Sequence, residues 1–175
     1  MFRVVFRRYN STANTLFRYF PETCPKPAFN IDLRKLRKEY RRAQAVAHPD
    51  VDTSSGTTSA DINRAYETLS DPLKRAQHLL LVEAGIDLTN DEVGKKLQFQ
   101  DKDLLLEIMD IHERLETGTE NEQLKAENDA KIAQLIKELN DAFEAKDWDK
   151  LALLTVRLKY CYNVKDLLKN NAIIH

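Results

Sequence analysis

Apolar and polar positions alternate at helical spacing, three and four residues apart, along most of the 175-residue chain. The first clear pattern opens after Asp32, a favoured N-cap residue, and ends before Pro49, because proline disfavours the α conformation at the residue before it. Its apolar positions, which we predict to face a core, are Leu33, Leu36, Tyr40, Ala43 and Ala47. Six lysines and arginines occupy residues 34–42 on the other side. The pattern predicts a helix with one apolar and one strongly basic face.

Two further helices are predicted in the first half of the chain. A polar loop, residues 51–57, separates the basic helix from a second helix that begins at Thr58 or Ser59. Asp71 and Pro72 suit the N-cap and first position of a third helix, and Gly85 is a favoured residue after a helix end. The apolar positions of these two helices are Ile62, Ala65, Tyr66, Leu69, Leu73, Ala76, Leu79 and Leu80.

The second half of the chain has a different pattern. Residues 86–100 show only weak periodicity, which indicates a linker. Three longer amphipathic patterns follow at about 101–116, 120–146 and 148–170, with short turns between them. Short connections between long helices favour an antiparallel three-helix bundle. We therefore predict an all-α protein with two domains, residues 15–85 and 101–175.

The composition favours a soluble globular protein, with 42% hydrophobic and 31% charged residues. No apolar run approaches the roughly 18 residues of a membrane span, so no membrane is expected as a partner. Cys24 and Cys161 lie far apart in sequence, which suits a reducing compartment and lacks metal-ligand spacing. His112 beside Glu113 has no second ligand at turn spacing, and no phosphate loop or activated nucleophile is visible. We expect no enzyme, no cofactor and no metal site.

Charge is distributed unevenly along the chain. Residues 1–50 hold 11 of the 27 lysines and arginines and four of the 28 acidic residues, a net charge of +7, whereas the remainder carries −8. Residues 1–14 contain three arginines, hydroxyl residues and apolar residues without acids, which is typical of a mitochondrial targeting segment. The alternative is an ordinary basic tail. A targeting segment would account for part of the N-terminal charge.

The tripeptide His48-Pro49-Asp50 directly follows the basic helix. Pro49 stiffens the loop, so that His48 and Asp50 lose little entropy on binding a partner. Asp50 is suited to accept a hydrogen bond from an arginine of that partner, and the cations before it favour an acidic surface. Two alternatives remain open: His48 as a helix end residue favoured by the helix dipole, and the basic face as a solvated or phosphate-binding surface.

Together, the basic helix, the tripeptide, the polar loop and the helix "NRAYETLSDPLKRAQ" resemble the J-domain of DnaJ-type co-chaperones. Residues 62–89, "INRAYETLSDPLKRAQHLLLVEAGIDLT", with "DLLLEIMDIHERL" and "LKYCYN" further on, are similar to the iron–sulfur co-chaperones of the HscB type. The resemblance implies an L-shaped pair of a J-domain and a C-terminal three-helix domain. An N-terminal zinc-binding extension of some members is absent, which points to the fungal-like mitochondrial form.

For the first domain, the resemblance implies a binding site for a mitochondrial DnaK-type chaperone. The J-domain would stimulate the ATPase of that chaperone. The residues that match this site are His48, Pro49, Asp50, Arg34, Arg37, Lys38, Arg41 and Arg42.

For the second domain the resemblance implies a site for the iron–sulfur scaffold protein. On a helical wheel Leu104, Ile108, Ile111 and Leu115 form one core stripe within about 60°, and Leu105 and Met109 lie about 100–140° further round. The wide apolar arc has an ordinary explanation, since a bundle helix touches two neighbours. The residues that match the scaffold site are Leu105, Met109, Tyr160 and Leu104, with Asp110 and Glu113 at the polar margin.

Two rival functions are a J-protein for general mitochondrial folding or import and a basic-helix binder of nucleic acid. The first predicts that alanine at Leu105, Met109 and Tyr160 leaves client binding intact. The second predicts affinity that falls steeply with salt, and the charge of −8 after residue 50 argues against it. We therefore expect a co-chaperone of the mitochondrial matrix that has no nucleic-acid partner.

Overall fold

The computed structural model describes residues 15–47, 58–117 and 121–173, with side chains as far as residue 169. Every regular element within these ranges is a helix, as predicted for an all-α protein. The chain divides into two compact units, the first ending at Gly85 and the second beginning at Ile86. The predicted targeting segment and the His48-Pro49-Asp50 loop lie outside the described residues.

The first unit contains a short 3₁₀ helix, Leu16–Tyr19, followed by α1, Leu33–Val46, α2, Ser59–Ser70, and α3, Pro72–Leu79. A π-helical turn, Leu80–Ala84, continues α3. The predicted boundaries are confirmed by the residues that cap the helices. The Asp32 carboxylate accepts the N–H groups of Arg34 at 2.9 Å and Lys35 at 3.1 Å.

The other predicted helix ends of this unit are confirmed as well. Thr58 and Asp61 form a reciprocal capping box at the start of α2, and the Asp71 carboxylate accepts the Lys74 N–H at 2.9 Å at the start of α3. Gly85 has a φ of 69°, a left-handed conformation that glycine adopts without a Cβ penalty.

A core of aromatic and aliphatic side chains holds the first unit together. Its largest fully buried members are Phe17, Phe20, Leu36, Leu69, Leu79 and Leu80. The prediction that Leu33 faces this core was wrong, because its side chain is 48% exposed. Leu33 lies in the first turn of α1; of the predicted apolar positions Leu36 is fully buried, and Tyr40, Ala43 and Ala47 are partly buried.

A buried carboxylate also occupies the core face of α1. Glu39 is 7% exposed, and its two oxygens accept the backbone N–H groups of Glu22 at 2.9 Å and Thr23 at 2.8 Å. The turn after the 3₁₀ helix is thereby fixed to α1. The position of Glu39, three residues after Leu36 on the same face, was the sequence signal for its burial.

The second unit consists, within the described residues, of α4, Asp91–Gln100, α5, Lys102–Thr117, α6, Asn121–Glu144, and α7, Trp148–Ile173. Helices α6 and α7 pack along each other and are joined by three residues, among them Lys146 at a φ of 55°. The Asp147 carboxylate accepts the Lys150 N–H at 3.1 Å and so caps α7. The three predicted long helices are confirmed.

The prediction of a linker at residues 86–100 was wrong, because this stretch contains α4. Asn90 caps it by accepting the Glu92 N–H at 2.9 Å. Helix α4 packs against α5 and α7, yet it has no fully buried residue. Without a buried residue, the stretch has no run of core positions that would distinguish this short helix from a linker in the sequence.

None of the described helices combines the length and the apolar character that a bilayer-spanning segment needs. The described ranges likewise contain no cluster of three or more histidine, cysteine, aspartate or glutamate side chains arranged to hold a metal ion.

Candidate functional site

The outer face of α1 is a continuous basic surface. All five cations predicted to contact a chaperone have exposed side chains; they are Arg34, Arg37, Lys38, Arg41 and Arg42. Arg42 also forms an ion pair with Glu22, in which both side chains stay more than half exposed, and this pair offsets the charge of one of the five cations. The face therefore keeps a strong positive potential toward solvent.

Hydrogen bonds join the last turn of α1 to the first turns of α2, on either side of the segment that contains His48, Pro49 and Asp50. The Gln44 amide donates to the Ser59 carbonyl at 3.2 Å, and the Ser59 hydroxyl donates to Gln44 Oε1 at 2.7 Å. Gln44 also donates to Asn63 Oδ1 at 2.6 Å. The three loop residues lie outside the described residues, so their role as a chaperone site stays a prediction.

Val46 adds an apolar group at the end of the basic face. It is the last residue of α1 and is 66% exposed. The sequence reasoning did not select it. Helical periodicity gave no signal for its exposure, because Val46 lies about two turns after the buried Glu39 and therefore on the same side of α1.

An apolar surface lies on α5 and is formed by Leu105, Leu106 and Met109; we call it the α5 surface. Leu106 is 66% exposed and Met109 is 69% exposed, whereas Leu105 is half-buried. Leu106 was missed by the sequence reasoning. On a wheel of about 100° per residue it lies nearly opposite the core residue Leu104, a position at which an apolar side chain has no packing role.

Among the predicted scaffold-binding residues, Leu104 needs correction, whereas Tyr160 is partly exposed and stays a prediction. Leu104 is 1% exposed and belongs to the core, so its side chain is not available to a partner. Tyr160 is half-buried and packs against the core cluster Leu124, Val164 and Leu168. Burial raises the pKa of Tyr160 to about 12, and its hydroxyl has no hydrogen-bond partner among the described residues.

Acidic side chains border the α5 surface. Asp110 and Glu113 are exposed, as predicted. Asp110 lies 3.8 Å from Arg114, which also pairs with Glu127 at 2.8 Å. The margin of the surface thus combines exposed carboxylates with an arginine that is already engaged.

A network of ion pairs joins the first half of α5 to α6 and α7. Arg157 Nε and the terminal nitrogen Nη2 donate to the two oxygens of Asp101, both at 2.7 Å. Glu107 lies 3.9 Å from Arg157 and forms an ion pair with Lys131. The hydrogen bonds from Arg157 lower the pKa of Asp101, and the same pairing raises the pKa of Arg157. We call this set the α5 network: Asp101, Glu107, Lys131 and Arg157.

Both cysteines are free and buried. Cys24 is 3% exposed and Cys161 is 2% exposed. Burial raises the pKa of Cys24 to about 11 and also raises the pKa of Cys161. A buried, protonated thiol is a poor metal ligand, so the chemistry of these residues fits a structural role.

Comparison with known proteins identifies both units. The family model of the DnaJ domain matches residues 28–78, and that of the HSCB C-terminal oligomerisation domain matches residues 100–169. The mitochondrial J-type co-chaperone JAC1 of Saccharomyces cerevisiae is 37% identical over 174 residues, which cover 95% of this chain and 92% of that protein. A mouse relative, the iron-sulfur cluster co-chaperone protein HscB, is 31% identical over 81% of this chain and 63% of its own length.

A solved structure supports the same assignment. The structure of the Jac1 co-chaperone from Saccharomyces cerevisiae, residues 5–182, matches with a TM-score of 0.83 and 35% identity, covering 91% of this chain and 95% of that chain. The mitochondrial name of the yeast relative supports a mitochondrial location. The chain belongs to the Jac1 and HscB family of J-type co-chaperones of iron–sulfur cluster biogenesis.

Proposed function

We propose that this co-chaperone acts in the mitochondrial matrix, where it stimulates ATP hydrolysis by a DnaK-type chaperone and delivers the iron–sulfur scaffold protein to it. The observation that carries the second half of this proposal is the α5 surface, where Leu106 and Met109 expose two thirds of their area to solvent. Neighbouring exposed apolar side chains with a polar rim are typical of a protein-binding site.

The basic face of α1 supports the first half of the proposal. Its exposed cations steer an acidic partner surface toward the adjoining loop, and this raises the association rate more than the affinity. The loop would then present His48 and Asp50 to the partner. In this role the chain contributes no catalytic group, because the reacting ATP is held by the chaperone.

The chemistry of the α5 surface suits a partner with apolar anchors and basic flanking residues. Leu105, Leu106 and Met109 offer adaptable contacts, and methionine fits irregular surfaces well. Asp110 and Glu113 at the margin favour a partner of opposite charge. We infer that the scaffold is bound as a protein and that its cluster stays on the scaffold, since both thiols of this chain are buried.

The test is the affinity of the purified scaffold protein for the double variant Leu106→Ser/Met109→Ser, measured by isothermal titration calorimetry. Burying both side chains on binding is worth about 3 kcal/mol or more, so the double variant should bind about a hundredfold more weakly. Phe99→Ser is the matched control. Phe99 is 72% exposed in the same unit but lies on α4, so this variant should bind as the wild type does.

Equal affinity of wild type and double variant would place the scaffold site elsewhere. An equal loss in Phe99→Ser would show that general surface hydrophobicity, and not the α5 surface, drives the association.

A further inference from the structure

We propose that Arg157 is a positioning residue that holds α5 in the orientation that presents the α5 surface to the scaffold. Arg157 lies on α7 and is partly buried, so it does not belong to the binding surface itself. The inference rests on the proposed scaffold function of α5. It assigns a role to a residue that neither the apolar pattern nor the exposed surface singles out.

Apolar burial alone holds the first half of α5 weakly. Leu104 is the one fully buried residue of this helix. Ile108, one turn further on, is only half-buried, and Ile111 and Leu115, two and three turns further on, pack partly buried against Leu124, Val164 and Leu168. The segment that carries Leu105, Leu106 and Met109 therefore depends on additional contacts to keep its orientation.

The α5 network supplies those contacts at both ends of the first two turns. Asp101 is the N-cap of α5, since its Oδ1 accepts the Leu104 N–H at 3.1 Å, and it accepts both hydrogen bonds from Arg157. Glu107 is held by Lys131 on α6 and faces Arg157 at 3.9 Å. Arg157 thus connects the helix start with a position almost two turns later.

This arrangement fixes the rotation of α5 about its own axis. At about 100° per residue, Asp101 and Glu107 lie on either side of the buried Leu104, each about 60° away. Leu106 and Met109 lie on the opposite half of the helix. When the ion pairs hold Asp101 and Glu107, Leu106 and Met109 have to face outward. Without these ion pairs, α5 can rotate about its axis into several orientations.

The pairing between Arg157 and Asp101 has the properties of a strong ion pair. It is bidentate, and the side chains are only 24% and 11% exposed. Paired charges in such a setting are screened less than surface pairs, and the fork of an arginine fits a carboxylate better than a lysine does. Loss of Arg157 would leave the Asp101 carboxylate with the Leu104 N–H but without its two strongest donors.

The experiment compares Arg157→Met with Lys165→Met in the full chain at 25 °C. Lys165 pairs with Asp129 at 2.7 Å between α7 and α6, so its variant removes an ion pair that does not involve α5. Circular dichroism establishes that each variant is folded. Two quantities are then measured: the affinity for the purified scaffold protein, and the amide hydrogen exchange of residues 104–110.

We expect Arg157→Met to accelerate amide exchange in residues 104–110 and to weaken scaffold binding by about fivefold to tenfold. A loss of this size results when only about 10–20% of the molecules keep the orientation of α5 that binds the scaffold. Lys165→Met should leave both quantities unchanged. Arg157→Lys should restore only part of the affinity, because lysine cannot form both hydrogen bonds.

A merely structural Arg157 would lower the melting temperature without changing the exchange of α5 or the affinity, and that result would overturn the inference. So would an equal loss in Lys165→Met. Failure of the proposed scaffold function can be told apart from failure of this inference. If the proposed function fails, the Leu106→Ser/Met109→Ser variant binds the scaffold like the wild type. The exchange measurement still reports whether Arg157 holds α5 in place.

Discussion

Two polar side chains tie the N-terminal segment of the first unit to its helices. Glu39 accepts two backbone N–H groups from the turn at Glu22 and Thr23, and His78 Nε2 accepts the Leu16 N–H at 3.1 Å. His78 also stacks on Phe17, with the ring centroids 5.8 Å apart. Both groups accept hydrogen bonds from partly buried backbone N–H groups of this segment.

The contact of His78 makes the stability of the first unit sensitive to pH. Burial, with a smaller effect of Arg64, lowers the pKa of His78 below its ordinary value near 6.5. The unfolded chain therefore binds the proton more readily than the folded chain, and the free energy of unfolding should fall as pH drops below about 6.5. The slope contributed by this group is at most about 1.4 kcal/mol per pH unit.

The free energy of unfolding is measured by urea unfolding at several pH values between about 7.5 and 5.5. Amide hydrogen exchange of α2 and α3 is measured over the same range. His78→Phe keeps an aromatic ring beside Phe17 but does not titrate. The variant should be less stable at neutral pH, because the Leu16 N–H loses its acceptor, and it should show a smaller loss on acidification than wild type. Parallel pH dependences of the two proteins would refute the role of His78.

At individual residues, the sequence pattern predicted exposure that follows from helical periodicity. It did not predict contacts between residues that are far apart in the sequence. Exposure of Met109 followed from its place on the helical wheel. Leu104 was assigned to the scaffold site although the same wheel placed it on the core stripe. Arg157 and Asp101 are 56 positions apart, and charged residues at that distance leave no periodic trace in a sequence.

At the scale of elements, the hairpin of α1 and α2 depends on one polar cluster near the loop that carries His48. Gln44 donates to Ser59 and Asn63, and the Tyr40 hydroxyl donates to the same Asn63 oxygen at 2.8 Å. The rings of Tyr40 and Tyr66 stack with centroids 4.1 Å apart. The cluster links the last turns of α1 to the first turns of α2.

We expect Gln44→Ala to lower the free energy of unfolding of the first unit by about 1–2 kcal/mol, because it removes three hydrogen bonds between the helices. Urea unfolding monitored by circular dichroism measures this loss. Lys38→Ala, at an exposed position of the same helix, should stay within about 0.5 kcal/mol of wild type. Equal stability of all three proteins would mean that water replaces the Gln44 contacts at no cost.

The helices that have a side-chain cap and a stripe of buried apolar residues were predictable from the sequence. Helix α4, which has no buried residue, was not. Helices α1, α2 and α3 are each preceded by a residue that caps through its side chain: Asp32, Thr58 and Asp71. Helix α4 also has a capping residue, Asn90, but none of its residues is fully buried. Its helical state depends on packing against α5 and α7, which a local pattern does not contain.

At the scale of the whole molecule, the two proposed sites lie in different units of the chain. The basic face of α1 belongs to the unit that ends at Gly85, and the α5 surface to the unit that begins at Ile86. Under the proposed function, joining the two sites covalently raises the effective concentration of scaffold at the chaperone. The two proposed sites share no residue, so their losses should be separable by mutation.

We predict that His48→Gln abolishes stimulation of the chaperone ATPase while its affinity for the scaffold protein equals that of wild type. Leu106→Ser/Met109→Ser should show the reverse: normal stimulation in single-turnover assays without scaffold, and no further increase when scaffold is added. The reason is that each substitution changes a side chain of one unit only. If the His48→Gln protein also lost scaffold affinity, or if the double variant failed to stimulate the chaperone alone, the two sites would be coupled and delivery by a simple tether would be wrong.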